Sequence, residues 1–154
     1  MTNESADTLH PIMEWNDRLL IGHPDIDREH KLLFSIAQRL NGSIEFDKRE
    51  SFIGEVLCAL ADYSQEHFSH EELLMQKIKY PNCAEHVVKH WQFIQKLSGL
   101  IDHYERGSLD IILEIRAFVS EWLADHISRE DMEFGEFYKS HPHDLMKIKY
   151  ESVS

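Results

Sequence analysis

The sequence predicts an all-α protein: an up-down-up-down antiparallel four-helix bundle with an N-terminal arm and a short C-terminal extension. Three observations carry that expectation. Apolar residues recur at alternating steps of three and four in four separate stretches, the period of a helix packed along one face. Each stretch is bounded by helix stop and start signals, and the connections are short, which favours antiparallel neighbours. No strand-type alternation of useful length, no repeat and no low-complexity segment competes with the helices.

Residues 1–10 read as a flexible tail. Residues 11–23, PIMEWNDRLLIGH, mix aromatic and aliphatic residues without a period and read as an arm lying across the domain. The first helix begins near Pro24–Asp25, where proline suits a first turn. Its seam is Ile26, His30, Leu33, Ala37 and Leu40, and Asn41-Gly42 ends it. The second opens at a capping box, Asp47 with Glu50, and runs to about Ile78 before Tyr80-Pro81 stops it. Its seam is Ile53, Leu57, Leu60, Ser64, His67, Glu71, Leu74 and Ile78. The third opens at another capping box, Asn82 with Glu85, carries Cys83, His86, His90, Phe93, Leu97, Leu100 and Tyr104, and ends at Gly107. Ser108 can cap the fourth, whose seam is Ile112, Ile115, Val119, Trp122 and His126 and which continues to about Tyr138. The bundle then spans residues 11–138. Residues 139–154, KSHPHDLMKIKYESVS, hold a proline and little period and read as a C-terminal extension.

Composition narrows the function. The net charge, 16 − 28 = −12, argues against nucleic acid and against anionic membrane, both of which need a basic surface. Its plain consequence is solubility. No apolar run approaches the length of a membrane span, and MTNESADTLHP lacks the basic and apolar regions of a signal peptide. Two cysteines, Cys58 and Cys83, make no disulfide framework, so a cytoplasmic protein with free thiols is expected. Cys58 lies about 30 Å up the second helix from its end, at about 1.5 Å per residue, while Cys83 starts the third, so the two cannot bridge. A monomer is the expected state.

Eleven histidines are present, and five of them fall on the seams: His30, His67, His86, His90 and His126. His86 and His90 stand one helical turn apart on one face. Glu71 points inward with them, and a buried charge is costly unless it is paired or bound to a metal. One inward histidine is ordinarily a hydrogen-bonded core residue. Five with a carboxylate, drawn from all four helices, point to metal. In an up-down-up-down bundle all five fall within a turn or two of one level. Imidazoles with carboxylate suit iron, zinc or copper rather than magnesium or calcium. Six ligands are too many for one tetrahedral zinc and suit two bridged ions, which need a second bridging acid. Asp125, Glu130, Asp131 and Glu133 all lie near the end of helix four. Geometry alone favours Glu130, at i+4 from His126, because Asp131 at i+5 stands about 140° round a regular helix. Periodicity leaves the choice open.

These residues resemble the bacterial hemerythrins, within the hemerythrin family of non-haem di-iron oxygen-binding proteins. The family pattern is a lone histidine in helix one, then H-x3-E, H-x3-H and H-x4-D. Here it reads His30 in GHPDIDREHKLLF, His67 and Glu71 in HFSHEELLM, His86 and His90 in YPNCAEHVVKHWQF, and His126 and Asp131 in WLADHISREDMEF. The match runs over residues 12–138 or so. It implies that Asp131, not Glu130, is the second bridge, which requires the fourth helix to be overwound or bulged between His126 and Asp131, or the carboxylate to reach round from the side. It also implies two iron ions with an oxo or hydroxo bridge. His86, His90 and His126 hold one, His30 and His67 hold the other with a position left open for dioxygen, and Glu71 and Asp131 span both. Leu123, Ile127 and Phe68 then line a dry oxygen pocket, with Trp122 as packing support. Plain core packing is the alternative for Leu123 and Ile127.

The function so implied is reversible dioxygen binding, for storage, delivery or buffering, and not enzyme catalysis. Two alternatives stand beside it: an oxygen or redox sensor acting through a separate protein partner, and a di-iron oxidase, peroxidase or nitric-oxide-handling enzyme. Ferritin-like oxidases use Glu-x-x-His pairs, which this chain lacks. No H-E-x-x-H or C-x-x-C pattern supports a zinc site. His10, His23, His70, His103, His141 and His143 lie off the seams or in tails, loops and helix ends, and read as surface residues.

Overall fold

The computed structural model describes residues 14–45, 50–107 and 110–141. The tail at 1–10, the Asp47 and Ser108 caps and the extension from 142 onward lie outside them. Proline at its first position and Asp25 and Asp27 in its first turn open α1 (Pro24–Glu45), suiting the positive end of a helix dipole. It runs past the expected stop at Asn41-Gly42. Gly42 does not take the positive φ of a helix-ending glycine. A glycine inside a helix costs only about 1 kcal/mol against alanine, which does not by itself break the run.

α2 (Glu50–Lys77) ends where Lys79 adopts φ 58° and the Tyr80 N–H returns to the Met75 carbonyl at 2.9 Å. This is the left-handed turn that glycine usually fills. α3 (Cys83–Glu105) follows Asn82, whose side chain makes no cap; its amide instead donates to Glu133 at 2.9 Å. The expected capping box is absent: Asn82 holds φ −95° and ψ 18° in place of the extended backbone from which a cap side chain reaches the first turn. Gly107, at φ 93°, ends α3 as expected. α4 (Ile111–His126) passes into a π-helical turn at Ile127–Asp131 and then into α5 (Met132–Ser140), so the fourth rod is helical throughout.

α1 packs on α2, α2 on α3, α3 on α4, and α4 back on α1, closing a four-helix bundle. The seams bury as the period demands, from Ile26 to Leu40 on α1 and from Ile53 to Leu74 on α2, with Ile78 buried just past its end. On α4, Leu123 is buried where Trp122 is only partly so. The main apolar core includes Phe34, Leu57, Leu60, Phe93, Leu97, Ile115 and Val119. A second, smaller cluster of Ile21, Ile26, Leu74, Met75, Ile78, Tyr80 and Phe134 caps the other end.

The arm is docked onto the bundle. Asp27 accepts the N–H groups of Ile21 at 2.7 Å and Gly22 at 3.1 Å. Ile21 is fully buried and sits so close to Gly135 that a Cβ there would meet its side chain at 2.8 Å. Cys58 and Cys83 are both free thiols.

Candidate metal centre

Between the two apolar clusters lies a polar layer. Each helix contributes at the level where its seam passes from one cluster to the other: His30 from α1, His67 and Glu71 from α2, His86 and His90 from α3, and His126 from α4. All are buried, and so is Asp131. The π turn brings in Asp131. Its i→i+5 bonding places the fifth residue under the first, where a regular helix would place the fourth. The bulge expected between His126 and Asp131 is thus present, and it is a widening rather than an overwinding of the helix. Glu130, which helical period alone favours, turns outward toward Lys89 and Arg129.

The cluster divides into two groups that share both carboxylates. One is Glu71, His86, His90, His126 and Asp131; the other is His30, His67, Glu71 and Asp131; within each, ligand atoms lie within 4.8 Å of one another. The carboxylate oxygens divide the same way. Glu71 Oε2 lies 3.3 Å from Nε2 of both His30 and His67, while its Oε1 faces His86 at 2.7 Å and His90 at 3.3 Å. Asp131 Oδ2 lies 3.1 Å from His30, and its Oδ1 lies 3.0 Å from both His86 and His126. Each carboxylate turns one oxygen to each group, the arrangement of a bridging ligand.

Burial alone pushes His30 down, but its contacts with Asp131 and Glu71 outweigh this and raise it to about 10. His86 rises to about 10 against the same burial, through the same two carboxylates. Burial raises Glu71, yet the histidines around it hold it well below the ordinary range. Burial and Glu71 both push Asp131 up, and His126 and His30 bring it far below. Without a metal, protons on the imidazoles balance the two carboxylates.

Protons do not satisfy the layer. Glu71 Oε1, Asp131 Oδ1 and Oδ2 and His86 Nε2 are buried without a hydrogen-bond partner, even where they approach one another closely. Nε2 atoms of His90 and His126 face each other at 3.2 Å. Polar atoms left without partners in a dry interior are costly. Nitrogen and carboxylate donors in this number fit first-row metal ions.

Aromatic rings wall the layer. Phe68 lies flat on His90, with centroids 3.9 Å apart, and 5.7 Å from His67. Trp122 stacks on His126 at 4.2 Å. Leu123 and Ile127 are buried in the main core with Phe68.

Three further carboxylates, which the seam pattern does not reveal, face the outer nitrogens of the histidines. Glu72 meets His90 Nδ1 at 2.9 Å, Glu130 lies 3.6 Å from His126 Nδ1, and Glu29 lies 3.6 Å from His67 Nδ1. Burial raises Glu29, but the His67 and His70 imidazoles beside it outweigh this and hold the carboxyl low. His70 is therefore not a bare surface residue. Only the i+4 step from His126 to Glu130 is a local sequence signal; Glu29 and His70 stand 41 residues apart.

Fold and cluster together define a helical bundle whose core is built to hold cations. Residues 22–138 match the family of the Hemerythrin HHE cation binding domain, and the chain belongs to the hemerythrin family. The bacteriohemerythrin of Stenotrophomonas maltophilia (strain R551-3) is 32% identical over 130 residues, 84% of either chain. Myohemerythrin-1 of Phascolopsis gouldii is 29% identical over 120 residues, 78% of this chain and 89% of that one. A crystal structure of wild-type hemerythrin matches the fold with a TM-score of 0.75 and 28% identity, over 81% of this chain and 96% of the other. Among the described residues no helix is long and apolar enough to cross a membrane.

Proposed function

We propose that this chain binds dioxygen reversibly at a centre of two iron ions, for oxygen storage, delivery or buffering. The observation that carries the reading is the division of Glu71 and Asp131, each with one oxygen toward each histidine group. His86, His90 and His126 would hold one iron, and His30 and His67 the other. Both would share Glu71 and Asp131, leaving the second group a protein donor short of the first. When bound, the metal pair supplies one electron per iron to dioxygen and recovers both on release.

The chain's own residues set the conditions for reversal. Five imidazoles and only two carboxylates make a site of low negative charge, which supports high-valent iron poorly and so favours binding over oxidation chemistry. Phe68, Leu123 and Ile127, all buried, would keep water and protons from the open side. Trp122 and Phe68 hold the His126 and His90 rings by stacking. No group here is assigned a catalytic role. Dioxygen is the partner, with neither nucleic acid nor membrane, and the protein acts as a cytoplasmic monomer.

The test is to load the protein with iron, reduce it without air, and admit oxygen. A visible absorption band that rises with oxygen and fades when the gas is swept out supports carriage, with two irons per chain. Irreversible oxidation on first exposure, or one zinc per chain as isolated, contradicts it.

A further inference from the structure

His70 follows His67 by three residues and leaves the seam, so that its side chain is 54% exposed. Its Nδ1 nevertheless lies 2.9 Å and 3.0 Å from the two oxygens of Glu29 on α1. Glu29, with only 11% of its side chain exposed, brings Oε1 to 3.6 Å from His67 Nδ1. That nitrogen is buried and lacks a hydrogen-bond partner. An imidazole that offers Nε2 to a metal keeps its proton on Nδ1, and that proton needs an acceptor. Glu29 is the carboxylate facing it, slightly beyond hydrogen-bond reach. Metal on Nε2 would make the Nδ1 proton more acidic and so favour a hydrogen bond to this carboxylate.

We propose that His70 and Glu29 form a tether from the surface to the iron held by His30 and His67. His70 pins Glu29, and Glu29 accepts the His67 Nδ1 proton and so holds Nε2 inward. The inference rests on the two-iron reading above. Both residues are positioning residues, since neither touches the metal. On the other iron Glu72 lies 2.9 Å from His90 Nδ1, and Glu130, paired with Lys89, lies 3.6 Å from His126 Nδ1. At His67 the acceptor has a second histidine behind it, standing in a cleft of about 410 Å³ that Tyr63, Glu66, Leu73 and Lys77 also line. The iron expected to meet oxygen is thereby linked to an exposed side chain.

Carboxylates behind metal-bound histidines fix the ring and raise its basicity, and their loss typically costs 10–100-fold in metal affinity. The test compares Glu29→Gln, His70→Ala and His70→Gln with the parent chain, all iron-loaded. The readouts are the rate of iron loss to a chelator, the midpoint potential and the thermal unfolding of the metal-free forms. Glu29→Gln should lose iron about 10–100-fold more readily and at a raised potential. His70→Ala should shift both in the same direction by less, and His70→Gln, whose amide still donates to Glu29, should restore the parent values. Because His70 is exposed, its variants decide the matter even if Glu29→Gln unfolds. Parent-like iron retention and potential in His70→Ala overturn the tether alone. A parent chain that never holds two irons overturns the proposed function, and the tether with it.

Discussion

Two layers of the same four helices share a period and little else. In the main core the seams carry Leu57, Leu60, Phe93, Leu97, Ile115 and Val119. Further along, the same helical faces carry His67, Glu71, His86, His90 and His126, equally buried. Position on the seam decides burial in both layers; residue type decides what burial does. Each fully buried Leu, Ile or Phe stabilises the fold by about 1.5–3 kcal/mol. Buried charges instead cost free energy unless partners or metal compensate them. The apolar layer is the fold's support, and the polar layer is what that support holds in place.

The sharpest way to break this contrast is to remove one member of each layer. Asp131→Ala should lose both irons, measured as metal per chain, because the shared carboxylate serves both groups. Its metal-free form should still melt cooperatively, since the apolar layer is intact. Two irons retained in that variant would show that Asp131 is not shared. Leu57→Ala, at a fully buried apolar position, should do the reverse. It should cost about 2–5 kcal/mol in denaturant unfolding while iron content stays unchanged.

A subtler separation uses pH. In the metal-free chain His30 and His86 titrate near 10, against 6.5 when unfolded. The folded state binds extra protons between those values, so their contribution is complete below about 6.5 and is lost as pH rises toward 10. Glu71 and Asp131 are shifted the other way, from 4.5 and 3.8 downward, and their contribution is lost as pH falls below those values. The metal-free melting temperature should therefore peak between about pH 4.5 and 6.5 and decline on the alkaline side. Iron displaces those protons, so the loaded protein should not show the alkaline decline. Parallel pH curves for the two forms would contradict the electrostatic account of the polar layer.

The seams were legible in the sequence because a period of three and four encodes burial directly, and every seam residue of α1 and α2 is buried. The inward histidines and Glu71 followed from the same rule. Asp131 did not: a five-residue step is off-face in a regular helix, and only likeness to the hemerythrins favoured it over Glu130. The π turn that makes it face inward has no mark in apolar period. One local signal misled: Gly42 stays helical inside α1. Asn82 does stand at the start of α3, but without a side-chain cap, its amide going to Glu133, 51 residues away. The outer carboxylates Glu29 and Glu72 were hidden for a related reason, since contacts between helices leave no pattern within either one.

One buried cluster should hold two irons and share Glu71 and Asp131 between them. A crystal of the iron-loaded protein, measured on either side of the iron absorption edge, tests it directly. Two anomalous peaks are expected, one against His86, His90 and His126 and one against His30 and His67, with both carboxylates touching each. A single peak, or Glu130 on the metals with Asp131 turned away, would contradict it.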